Sequence, residues 1–291
     1  MNDEKIEHLL ELLQAEENND INTMISHFEL ITNSLMTLAQ SLFENKETIK
    51  YHQKEIESKF FRFGFANFSL INLMKGNEFS INNSQLKIVD IFSLNSITRM
   101  QIESFLIIYY LFFDNVDELT FNFRYDIYKL HGLIKQLNFE IKTDIPEKEI
   151  QLKKMEDEKV KTILSIKDSN IYINANQKEK DTFLNPKFAK LIKSEILFEK
   201  SGINNIGINK IWQLYSNHAH SEHIGDRQYN SYRMNDFKES NASLIININT
   251  MLSARLIIFL INSFSSIRTK YIEISEKERT HIEMWGKIGN N

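Results

Sequence analysis

The stretch YSNHAHSEH (215–223) holds three of the chain's eight histidines, His218, His220 and His223, within six positions. Imidazole changes charge near neutral pH, so such a cluster can move a proton or ligate a metal. Zinc held by His218, His220 and His223 is one reading. The spacing HxHxEH nevertheless differs from HExxH, in which two histidines four apart bracket a glutamate base. A hydrogen-bonded histidine cluster that needs no cofactor is the preferred expectation. If the helix of 204–218 continues, the face of Ile208, Ile211 and Tyr215 carries His218 inward together with Glu222, and His220 points elsewhere. A break after Asn217 resets those directions.

Charges on the most apolar stretches supply candidate partners. In NSITRMQIESFLIIYY, Asn95, Arg99 and Glu103 recur every fourth residue and share one helical stripe. Ile97, Met100, Ile102, Phe105 and Leu106 cover its other sides. An unpaired charge withdrawn from water costs several kcal/mol, so Arg99 and Glu103 must pair, meet other polar groups or line a wet cavity. In NINTMLSARLIIFLINSF, Arg255 lies in an apolar run, and such an arginine often reaches a helix end or a subunit boundary. In FRYDIYKLH, Arg124, Tyr128 and His131 share a face, while Asp126 and Lys129 are assigned to an exposed surface.

Together these residues suggest chemistry on an anion, with a phosphodiester of RNA or a nucleotide phosphate as the expected substrate. Arg99, Glu103, His218, His220, Arg124 and His131 form the candidate catalytic set. Asn95, Tyr128, Tyr215, Asn217 and Arg255 are candidate substrate contacts. Arginine would hold charge bidentately, histidine would move a proton and glutamate would orient one of them. Arg227, Tyr229, Tyr232 and Arg233 are read as an ordinary polar loop. The alternative is a non-catalytic interaction or regulatory module whose polar interior only fixes helix register. A metal-dependent hydrolase is the third.

Long helices must position these residues. The chain has 291 residues, 42% hydrophobic and 25% charged, with only eight glycines and two prolines. Turn-dense β architectures need more punctuation than that. The expected class is all-α, a bundle of long helices with a charged helical insertion, treated as one domain over 1–291. Helices are predicted at 3–17, from an Asp20 N-cap to about 45, at 47–75 ending near Gly76, from Ser84 to Phe113 and at 116–139. The aromatic KFFRFGFANFSLINLM is assigned to core packing. The charged segment 141–186 is expected to be an exposed arm with one helix (146–167) and a loop closing at Pro186. Two short helical pieces (187–200), a helix over 204–218, a loop over 224–241, one long helix over 242–272 and a terminal helix from Ser275 complete the prediction. Ser275 with Arg279 does not complete a capping box.

A net charge of −4 advertises no nucleic-acid surface, and cysteine is absent, so thiolate metal sites and disulfides are excluded. The acidic, amphipathic MNDEKIEHLLELL is unlike a signal peptide. The runs FLIIYYLFF and LIIFLI are shorter than the roughly 20 residues that span a bilayer. The expectation is a soluble cytoplasmic protein with no membrane association.

The order Arg99-x-x-x-Glu103, YYLF, FRYDIYKLHGL and later YSNHAH resembles the bacterial domain-of-unknown-function family numbered 5677. The likeness covers roughly 85–140 and 205–265 and implies a helical fold with a site shared by the two blocks. Arg124 followed by His131 also resembles the Arg…His signature of HEPN-type ribonucleases, helical proteins of toxin–antitoxin and phage-defence systems. That class usually carries a small polar residue after the arginine, where this chain has Tyr125. The resemblance implies action on a scissile phosphate across a homodimer, and an antitoxin or defence-system partner protein.

Overall fold

The computed structural model describes residues 3–44, 49–81, 84–139, 146–203, 206–219, 223, 227 and 237–288. Among these, thirteen α-helices and one two-stranded hairpin make an all-α protein. They are α1 (Asp3–Glu17), α2 (Ile21–Glu44), α3 (Ile56–Met74), β1 (Asn77–Ile81), β2 (Ser84–Ile88), α4 (Ile91–Phe112) and α5 (Glu118–Phe139). There follow α6 (Pro146–Asp168), α7 (Asn170–Ile173), α8 (Gln177–Leu184), α9 (Ser194–Lys200) and α10 (Ile206–Ala219). The last three are α11 (Phe237–Ser263), α12 (Ser265–Glu273) and α13 (Glu276–Lys287).

One short signature opens three of these helices. In DINT, DIFS and DELT the aspartate precedes the first helical residue and accepts from the backbone N–H three positions on. Thr23 N–H reaches Asp20 Oδ1 at 3.2 Å, Ser93 N–H reaches Asp90 Oδ1 at 3.1 Å, and Thr120 N–H reaches Asp117 Oδ1 at 2.8 Å. Each hydroxyl also donates to the other carboxylate oxygen, at 2.7, 2.6 and 2.9 Å. Each aspartate thus satisfies an orphan donor of its first helical turn.

The chain divides into two compact units. The first comprises residues 1–49, 55–108 and 198–291, and the second 50–54 and 109–197. This division differs from a single domain interrupted at 141–186. In the first unit α11 packs on α2 and α13, and α2 packs on α3. Phe28, Ile31, Leu35 and Leu38 of α2 are fully buried, each contributing about 1.5–3 kcal/mol by leaving water. A cluster including Met24, Phe28, Leu70, Leu94, Tyr215 and Ile245 joins α2, α3, α4, α10 and α11. In the second unit α6 lies on α5, and Phe123, Ile127, Leu130 and Ile166 form the core between them.

Several elements depart from the sequence prediction. Residues 77–88 form an antiparallel hairpin with Ile81 opposite Ser84, so α4 begins at Ile91 rather than Ser84. The alternation in NEFSI and SQLKI has the strand period of two. A 3-10 turn (Tyr51–Gln53) precedes α3. The expected loop before Pro186 contains α7 and α8, each opened by a capping side chain, Ser169 and Asn176. One short helix, α9, stands in 187–200 instead of two. The helix expected over 242–272 starts at Phe237 and is interrupted at Phe264, which is extended (φ −130°, ψ 123°). Ser275 does form a complete capping box, with Glu278. The box partner is the third helical residue, one position before Arg279.

By length and composition Asn241–Ser263 of α11 is apolar enough to cross a bilayer, although the runs within it are short. In the first unit 72% of its most apolar window is buried, and it serves as that unit's core helix.

Candidate functional site

The predicted stripe on α4 is real in its spacing and differs along its length. Arg99 Nη2 donates to Glu103 Oε1 at 3.1 Å, with the two side chains 22% and 43% exposed. The same oxygen accepts the indole N–H of Trp212 at 3.2 Å, which ties α4 to α10. Asn95, one turn earlier, is fully buried, and neither its amide oxygen nor its nitrogen has a partner among the described residues. Arg99 Nε is also buried and unpartnered among them. Met100, expected on an apolar side of the helix away from the stripe, is 48% exposed.

On α10, Tyr215 is buried and its hydroxyl donates to Asn241 Oδ1 of α11 at 3.5 Å. Asn241 Nδ2 has no partner among the described residues. Ser216 and Asn217 are half-buried. His218 lies on the α10 backbone, and its side chain falls outside the described residues, as do His220 and Glu222 entirely. His223 and Arg227 are exposed. Tyr229, Tyr232 and Arg233 also fall outside the described residues.

The other two arginines are committed elsewhere. Arg255 donates Nη1 to the Gly286 carbonyl at 2.9 Å and Nη2 to the Gly202 carbonyl. Gly202 follows the end of α9 in the left-handed region (φ 74°), and Gly286 lies in the last turn of α13. The guanidinium therefore neutralises helix C-terminal carbonyls, as a cation does well. In the second unit Arg124 Nη1 lies 2.7 Å from Asp114 Oδ2 and 3.3 Å from the Tyr110 carbonyl. Its guanidinium also covers the Tyr110 ring at 4.5 Å. His131, on the same helix, is half-buried, with one buried ring nitrogen unpartnered among the described residues. Burial, aided by Lys135, pushes its pKa down. Tyr128 is half-buried.

Asp126 corrects the expectation of an exposed surface. It is buried and accepts from Tyr51 Oη and Ser165 Oγ, each at 2.6 Å. Its two oxygens thereby join the 3-10 turn and α6 to α5. Lys129 does reach solvent in part and pairs with Glu158 at 2.6 Å.

Two features escaped the sequence reading. The first is a neutral network inside the first unit. Asn67 Nδ2 donates to Ser253 Oγ (2.9 Å) and Thr32 Oγ1 (3.3 Å), while Gln101 Nε2 donates to Asn67 Oδ1 (2.6 Å) and the Phe63 carbonyl (2.8 Å). Asn249 Nδ2 donates to Thr98 Oγ1 at 3.1 Å, and Ser253 Oγ donates to the Asn249 carbonyl at 2.7 Å. These groups link α2, α3, α4 and α11 without a formal charge. The second is a group of histidines, His8, His27 and His281, around Glu11. Burial, then the neighbouring His27 and Lys277, pushes His281 down to about 3. His27 is lowered chiefly by burial, and Glu11 is lowered by the hydrogen bond from Lys277.

No family model, curated protein or solved structure matches this chain.

Proposed function

We propose that the chain handles a phosphate-bearing ligand, an RNA phosphodiester or a nucleotide, at the polar stripe of α4 where it meets α10 and α11. The observation that supports this is a group of buried polar atoms without a partner among the described residues: Asn95 Nδ2 and Oδ1 and Arg99 Nε on the stripe itself, and Asn241 Nδ2 beside Tyr215, among others along the same three helices. Buried polar groups are ordinarily paired, and each exception needs an explanation. A ligand offering anionic oxygens and hydrogen-bonding edges would supply the missing partners. Arg99 is the anion holder in this reading, Glu103 and Trp212 fix its position, and a histidine of 215–223 moves the proton. Arg124 and Arg255 have structural roles in this reading, since Arg124 Nη1 is engaged by a carboxylate and both Nη groups of Arg255 by helix-end carbonyls.

RNA and nucleotide binding to the full chain, followed by cleavage assays, tests the proposal. Arg99→Ala with retained helicity should lose both binding and turnover, and His218→Ala or His220→Ala should lose turnover alone. A chain that binds neither ligand would refute it.

The neutral network around Asn67 favours a second reading, a non-catalytic helical module for a partner protein such as an antitoxin or defence component. In that case Arg99→Ala changes stability and has no effect on any RNA.

A further inference from the structure

We propose that Glu11, His27 and His281, with His8 as a fourth donor, form a binding site for a divalent transition ion of the zinc class. The residues come from three helices of one compact unit: His8 and Glu11 from α1, His27 from α2 and His281 from α13. One ligand atom from each of Glu11, His27 and His281 lies within 4.8 Å of the others. The Glu11 Oε1 to His27 Nε2 separation is 3.4 Å. Metal–ligand bonds of about 2.0–2.1 Å at tetrahedral angles place neighbouring donors about 3.4 Å apart. That edge already has the right length, and the two edges to His281, no longer than 4.8 Å, would close toward the same spacing on binding.

His281 supplies the independent observation. It is fully buried, and neither ring nitrogen has a hydrogen-bond partner among the described residues. A buried imidazole normally places at least one nitrogen on a donor or acceptor. Instead its ring meets the His27 ring edge to face, with centroids 4.5 Å apart and planes at 85°. Two imidazoles with a ring nitrogen within 4.8 Å of one carboxylate, His281 having no competing partner among the described residues, are a ligand set. Imidazole and carboxylate donors without thiolates suit zinc and its neighbours rather than calcium or magnesium.

Lys277 donates to both Glu11 oxygens, at 2.9 Å to Oε1 and 2.8 Å to Oε2. The ion would take Oε1, beside His27, and leave Oε2 to the lysine, which then orients the carboxylate from outside. His8 has Nδ1 4.0 Å from Glu11 Oε2 and its ring 6.4 Å from that of His281. It lies one turn before Glu11 on α1, and its ring would have to turn from Oε2 toward Oε1 to complete the ligand set.

The test is titration of the chelator-treated full chain with Co²⁺, read by visible absorption, and with Zn²⁺, read by thermal unfolding. Expected are one equivalent of Co²⁺ with an intense tetrahedral-type band, and a Tm raised by Zn²⁺. Both should be lost in His281→Gln. Should that variant fail to fold, Glu11→Gln carries the test, because its side chain is 41% exposed and tolerates an isosteric amide. The loss should be tenfold or more in affinity. Absence of saturable uptake would overturn the proposal. So would uptake unchanged in Glu11→Gln but abolished in a His218→Ala/His220→Ala/His223→Ala variant, which assigns the ion to the other cluster.

Discussion

Arg124 and Asp114 form a buried ion pair, Nη1 to Oδ2 at 2.7 Å, with side chains only 7% and 0% exposed. Asp114 sits just beyond the end of α4 and Arg124 in the second turn of α5, so the pair closes the corner between these helices. Removing one partner leaves a charge buried without compensation, at a cost of about 3–5 kcal/mol. Asp114→Ala and Arg124→Ala should each show that loss in denaturant unfolding. The double replacement Arg124→Met/Asp114→Leu should lose much less, because it strands no charge.

Arg255→Lys is expected to destabilise by about 1.5–3 kcal/mol, since an ammonium cannot serve two separate carbonyls as the guanidinium fork does. Hydrogen exchange should show the loss at the end of α13, where Gly286 supplies an acceptor. Unchanged protection there would refute the assignment.

Asn67 makes contacts with α2, α4 and α11 through a single side chain. Asn67→Leu, similar in volume, strands parts of Thr32, Gln101 and Ser253 and should cost about 1–3 kcal/mol. Thermal unfolding measures it. A neutral or stabilising result would mean that the amide contributes specificity of register rather than stability.

Gly202 adopts φ 74°, where a Cβ is disfavoured by about 1–2 kcal/mol. Gly202→Ala should lower the unfolding midpoint accordingly, and Gly202→Asn should lower it less.

The second unit should weaken in acid. Its His52 stacks on Phe121, with centroids 4.7 Å apart, and meets Asn122 Oδ1 at 3.2 Å. Burial depresses its pKa below the ordinary 6.5, the Asn122 contact opposes this in part, and His131 is depressed in the same direction. A depressed histidine contributes its stabilisation above the unfolded value and loses it as pH falls through the folded one. Unfolding at pH 7.5 and 5.5 should therefore show a lower midpoint in acid, and His52→Phe should reduce the difference.

What the sequence disclosed was local. The Arg99–Glu103 pair follows from a four-residue interval on one helix, and the Asp20 cap from its position before a periodic run. The same cap signature at Asp90 marks the start of α4, yet a hydrophobic run reaching back toward Ser84 obscured it. Distant meetings leave no such trace. Asp126 looks like a surface carboxylate until Tyr51 and Ser165, 75 and 39 residues away in the chain, close over it. His27 and His281 come from opposite ends of the sequence, so no local spacing announces their meeting. Asn67 and Asn249 raised no alarm because an amide in an apolar helix looks less costly than a charge, although it demands partners just as firmly.

The amide–hydroxyl seam of the first unit has no titrating member and no counterion atmosphere. Its strength should stay level across physiological acidity and ionic strength, while surface pairs such as Lys50–Glu118 fade as salt rises. Helix alignment there is thereby insulated from whatever charge changes accompany ligand or metal uptake nearby.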